Sequence, residues 1–211
     1  LRGGTYRPAG VVEASGVAGT EAAPIRVIAE PGERPLFDFG TAATGGVHVS
    51  DCHWLHLTGF DISRARSRGL FVESGSSHVL VADVTIRDSG GDPNTSGAGL
   101  FVLDSASVTI LDVVVTGSYD PTAGGRNADG IAIERSPGTL VESCVAAGNS
   151  DDGFDLWQTT DVTLRHCRAF DNGWGPDGRP AGDGDGFKLG GGTDSGDNRV
   201  EFCVAYDNRE R

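Results

Sequence analysis

A glycine-led strand-like segment returns six times along the chain: Gly46-Val-His-Val, Gly69-Leu-Phe-Val, Gly99-Leu-Phe-Val, Gly130-Ile-Ala-Ile, Gly153-Phe-Asp-Leu and Gly186-Phe-Lys-Leu. Successive glycines are 23, 30, 31, 23 and 33 residues apart, a basic unit of about 23 with insertions ahead of some strands. Self-similarity at such a period marks a solenoid, whose short units bury their apolar faces only by stacking. Each unit also holds a second run of β-branched and aromatic residues: Trp54 to Ile62, His78 to Ile86, Val108 to Val115, Thr139 to Ala146, Val162 to Ala169 and Arg199 to Ala205.

The units agree column by column. Phe60, Val84, Val113, Cys144, Cys167 and Cys203 form one apolar column, and five residues later come Ala65, Ser89, Ser118, Asn149, Asn172 and Asn208. Stacked asparagines hydrogen-bond one another and tolerate a left-handed residue at a turn. Alternation in the glycine-led strands points Val47/Val49, Leu70/Val72, Leu100/Val102, Ile131/Ile133, Phe154/Leu156 and Phe187/Leu189 inward. His48, Phe71, Phe101, Ala132, Asp155 and Lys188 then form the outward column.

These patterns predict an all-β fold, a single-domain right-handed parallel β-helix over residues 1–211 with about 23 residues per coil plus loop insertions. Apolar residues rarely recur at helical spacing for more than a turn, so no helix competes. The chain opens in mid-motif with Leu1-Arg-Gly-Gly-Thr-Tyr and stops just past Asn208, and it reads as a fragment lacking both terminal caps. Three of the four cysteines share the inward column, which predicts reduced thiols packed as small hydrophobes; Cys52 lies in another register. No apolar run approaches membrane-spanning length.

A net charge of -13 argues against nucleic acid as a partner. The carboxylates nevertheless cluster. Asp129, Asp152 and Asp185 each precede a strand glycine and so stack on one another, with Asp151 and Asp155 flanking the middle one. Like charges that close are unfavourable unless neutralised, and an all-oxygen set without paired His or Cys suits calcium rather than zinc. The chain's one lysine, Lys188, falls opposite Asp155, about 4.8 Å away across one strand spacing. A lone amine beside packed carboxylates suggests a base working next to a metal. Two ordinary readings stand beside this: Asp-Gly as a turn signal, and Lys188 with Asp155 as a structural ion pair.

Asp151-Asp152-Gly-Phe-Asp155, followed by Gly-Phe-Lys188-Leu-Gly-Gly on a β-helix ladder, resembles polysaccharide lyase family 9, the pectate lyase-like right-handed parallel β-helix enzymes. The opening Gly-Gly-Thr-Tyr and the segment from Gly19 through Pro35 are similar to secreted enzymes of this group. The resemblance implies a secreted monomer that cleaves a uronic-acid polysaccharide by β-elimination, with Ca2+ held by Asp151, Asp152, Asp155 and Asp129 and with Lys188 as base. It implies an acidic polysaccharide as partner, and neither nucleic acid nor a membrane.

Arg126, Trp174, Arg179 and Asp185, in or beside the long insertions, are candidates for holding substrate. Trp157 is read as packing between coils or as a stacking platform, and the five histidines as turn or surface residues. The competing functions are a non-catalytic, calcium-stabilised β-helix that binds polysaccharide, and a different enzyme, a uronan C5-epimerase or a glycoside hydrolase. Fold alone does not separate these from a lyase.

Overall fold

The computed structural model describes residues 1–40, 42–92, 96–121 and 123–210. Strands in three parallel sheets make up the described regular structure, with no helix among the described residues. One coil supplies one strand to each sheet, as in Ile131–Glu134, Leu140–Glu142 and Val145–Ala147. The next coil pairs with it at Ile131↔Phe154, Leu140↔Thr163 and Val145↔Arg168, the same offset of 23 residues in all three sheets. The fold is the predicted right-handed parallel β-helix.

Each long second run of the sequence is in fact two strands. The break falls at Gly59, Asp83, Asp112, Ser143, His166 and Phe202, all with φ between 52 and 82°. A left-handed residue turns the chain sharply from one sheet into the next. The asparagine column is also displaced from expectation, because the left-handed position is the residue before it: Gly148, Asp171 and Asp207 have φ of 63, 56 and 54°.

The asparagines themselves form a ladder. Asn149 donates from its backbone N (3.1 Å) and Nδ2 (3.0 Å) to Oδ1 of Asn172, and Asn172 Nδ2 donates to Asn208 Oδ1 (2.8 Å) and to the carbonyl of Ala146 (3.1 Å). The ladder explains the strand-leading glycines, which are required here by space. A Cβ on Gly153 would stand 2.7 Å from the carbonyl oxygen of Gly186 and 2.9 Å from Asn172 Nδ2.

Inside the coil the alternating aliphatic residues meet in one continuous core running from Phe39 to Ala169. All four cysteines are free thiols; Cys144 and Cys167 are buried in their predicted column and Cys203 is partly buried. Leu189 departs from prediction. Its strand ends at Lys188 and the side chain is 48% exposed, because Gly190 to Gly192 turn the chain away. Among the described residues no helix is long and apolar enough to cross a membrane.

Candidate active site

The glycine-led strands form the seven-stranded sheet that carries the site, running in order through Val12–Ser15, Val47–Ser50, Leu70–Glu73, Leu100–Leu103, Ile131–Glu134, Phe154–Trp157 and Phe187–Lys188. Register places His48, Phe71, Phe101, Ala132, Asp155 and Lys188 side by side on its outer face, as alternation predicts. The first three stack, with ring centroids 5.1 Å apart for His48 and Phe71 and 5.4 Å for Phe71 and Phe101. Beyond Ala132 the column changes from aromatic to charged, beside a cleft of about 450 Å3.

At the charged end, oxygens of Asp129, Asp152 and Asp155 lie within 4.8 Å of one another. Lys188 Nζ sits 3.0 Å from Asp155 Oδ2 and 3.2 Å from Asp152 Oδ2. Backbone amides fix two further oxygens: Asp152 N donates to Asp129 Oδ1 at 3.1 Å, and Asp185 N to Asp152 Oδ1 at 2.7 Å. Asp155 Oδ1 is buried with no hydrogen-bond partner among the described residues. Three carboxylates face one ammonium, so the group is short of positive charge whenever the carboxylates are ionised, and one buried Asp155 oxygen is left without a partner among the described residues. That donor set fits a hard divalent cation such as calcium.

Electrostatics follow from this crowding. Burial first, and the neighbouring carboxylates second, push the Asp129 carboxyl well above the usual range. Burial likewise raises Asp152, and it raises Asp155 to about 6 although Lys188 opposes the shift. Burial alone would lower the Lys188 amine, but Asp155 and Asp152 outweigh it and hold the amine above the ordinary lysine range.

Not every predicted residue joins this group. Asp151 is buried beside it but is not part of the trio; its carboxylate clasps two insertions, accepting from Asn127 N at 2.5 Å and Asp183 N at 2.6 Å. Asp185 lines a separate hollow with Phe187 and Tyr206 and is not part of the trio. Arg126 lines the cleft and lies 3.8 Å from Asp183. Trp174 sits elsewhere, lining a separate hollow with Tyr119 and Asp171, and Arg179 is held by Asp177 at 3.6 Å outside the cleft. Their shared insertion folds back on itself through a bridge between Trp174 and Pro180, which carries both away.

Trp157, read from sequence as packing between coils or as a stacking platform, both covers Gly191 and lines the cleft, with Lys188 Nζ 5.4 Å from its ring centre. The wall residues Arg68, Glu134 and Asp183 were not singled out from sequence, and Phe101 was placed only in the outward column. For Arg68 a signal existed: it precedes Gly69 just as Asp129, Asp152 and Asp185 precede theirs.

A right-handed parallel β-helix with an acid cluster and a single amine on its outer sheet defines the class of protein. The chain belongs to the Pel9A-like right-handed β-helix family, whose model matches residues 1–211, in line with the resemblance to polysaccharide lyase family 9. It is similar to pectate lyase L of Dickeya dadantii (strain 3937), with 32% identity over 206 residues covering 90% of this chain and 46% of that protein. Pectate lyase L of Paenibacillus polymyxa (strain SC2) is 29% identical over 233 residues, covering 100% of this chain and 50% of that protein. The crystal structure of pectate lyase Pel9A aligns with a TM-score of 0.84 at 29% identity, over 99% of this chain and 54% of that one. The chain thus spans about half the length of the curated relatives it matches.

Proposed function

We propose that this chain is the cleft-bearing β-helix of a secreted, calcium-dependent polysaccharide lyase that cleaves a pectate-like uronan by β-elimination, with Lys188 as base. The observation that supports this most is the placement of the only lysine, 3.0 and 3.2 Å from two buried or half-buried aspartates and at the edge of an open cleft. Asp129, Asp152 and Asp155 are the proposed calcium ligands, with Asp151 beside them as a fourth.

Elimination removes the proton at C5 of a uronate, α to its carboxylate. The C5–H electron pair becomes the C4–C5 double bond, and the C4–O bond breaks with its pair leaving on oxygen. Calcium, when bound, supplies charge stabilisation for the carboxylate beside the developing carbanion. Lys188 Nζ accepts the C5 proton, which requires that it first be neutral. Asp152 and Asp155 favour the charged amine as long as they remain ionised and paired to it, so the state of those two carboxylates tunes the base. The bidentate clasp of Asp151 on the amides of Asn127 and Asp183 holds the two insertions that frame the trio.

The test is ultraviolet absorbance of unsaturated uronides released from a panel of uronans, with and without calcium. Lys188→Ala should abolish product while still binding calcium by calorimetry. Lys188→Arg should fail as well, because a guanidinium does not deprotonate near working pH. Product at a near-parent rate from Lys188→Ala would remove the lysine from this role. A parent that binds uronan and cleaves none of the panel would establish a binding module instead.

A further inference from the structure

The cleft has a second pole, far from the acid cluster. In the column of residues preceding the strand glycines, Arg68 is followed by Ala98, Asp129, Asp152 and Asp185, each one coil further on. Its guanidinium lies over two rings of the outward column, 4.2 Å from the centre of Phe71 and 5.1 Å from that of Phe101. Nε donates to Ser96 Oγ at 2.9 Å. The aromatic faces and the serine therefore hold the fork in place.

Three cations line the cleft, and their partners differ. Lys188 is paired with Asp152 and Asp155, and Arg126 lies 3.8 Å from Asp183. Arg68 has no carboxylate within ion-pair distance among the described residues. Glu73 and Glu134 act on this half-buried guanidinium only at longer range and do not offset its desolvation, so in a chain of net charge -13 the fork still lacks a paired carboxylate. Arg68 also borders the neighbouring hollow lined by His48, Phe71 and Glu73, so that the two depressions meet at its side chain.

We propose that Arg68 is a carboxylate-binding subsite that grips one uronate of the polysaccharide through a two-pronged guanidinium–carboxylate pairing, away from the bond that is cut. Phe101 and Phe71 lie two and three strands from Asp155 in the register. At one strand spacing each, that is about 10–14 Å, and the substrate runs across the strands, along the stack of coils. The inference rests on the lyase reading and deepens it by assigning recognition of charge along the polymer to a preorganised residue.

The experiment measures calorimetric affinity of an acidic hexagalacturonate, in calcium, for the full chain carrying Lys188→Ala to prevent turnover. Adding Arg68→Gln should weaken binding about ten- to hundred-fold, the value of a charged hydrogen-bonded pair. Arg68→Lys, which keeps the charge and loses the planar fork, should recover only part of that loss. Arg66→Gln, on an exposed neighbouring arginine outside the cleft, should leave affinity unchanged. Unaltered binding by Arg68→Gln, or an equal loss with Arg66→Gln, would overturn the subsite while leaving the lyase reading standing. A parent that binds no uronan overturns that reading, and the subsite with it.

Discussion

Replacing Asn172 by alanine tests the coil's construction independently of its chemistry. The Asn172 side chain is fully buried and makes four hydrogen bonds. Asn208 Oδ1 would keep a partner after truncation, because it also accepts from the Asn172 backbone N at 3.2 Å. Asn149 N, Asn149 Nδ2 and the carbonyl of Ala146 would each lose one. At roughly 1 kcal/mol for each buried group so orphaned, the expected loss is about 3 kcal/mol, rising toward about 5 if the groups stay dry. For a chain of this size that lowers the melting midpoint by about 6–12 °C. Serine should rescue little, since the hydroxyls of Ser89 and Ser118 in the same column have no partner among the described residues. Thermal and urea unfolding followed by circular dichroism measure the effect. A melting point within about a degree of the parent would refute the ladder's role, as a single buried hydrogen bond alone should move it by more.

Calcium binding by calorimetry should be abolished by Asp152→Ala combined with Asp155→Ala, and unaffected affinity would remove these residues as ligands. A second expectation concerns pH in the metal-free protein. The Asp155 carboxyl is raised to about 6 from an ordinary value of 3.8, so folding disfavours its ionised form. The stability this group allows is therefore complete below about pH 4 and is lost as pH rises through 6. In EDTA, Asp155→Asn should stabilise at pH 7.5 by up to about 3 kcal/mol, and the gain should vanish near pH 4. Equal urea midpoints for parent and variant at pH 7.5 would contradict the burial argument.

The repeat was legible because inward residues obey one rule: Val47, Leu70, Leu100, Ile131 and Phe154 must all be apolar and must all stack. The same register is enough to put Lys188 opposite Asp155. The corners were not legible in this way. Asp83, Ser143, His166 and Phe202 adopt one left-handed conformation with four unrelated side chains, since there the backbone is dictated by the sheets on either side. Side-chain direction was equally hidden. Asp151 and Asp152 are neighbours in sequence, yet one turns to loop amides and the other to the lysine. Trp174 and Arg179 were assigned to the cleft by position in a long insertion, and the insertion's internal fold decided otherwise.

The division of labour between the two faces of the glycine-led sheet has a consequence for how such a surface changes over time. Inward side chains alone set the register, so an outward residue is replaceable without disturbing the pairing of its strand. His48, Phe71, Phe101, Ala132, Asp155 and Lys188 are then six positions on a ruler whose divisions are one strand spacing, about 4.8 Å, coupled to one another only through contacts between their outward side chains. A linear polymer laid along it meets the divisions in order. Selectivity for the polymer's charge pattern is editable one division at a time, and the length of polymer read grows with the number of coils rather than with the size of any loop.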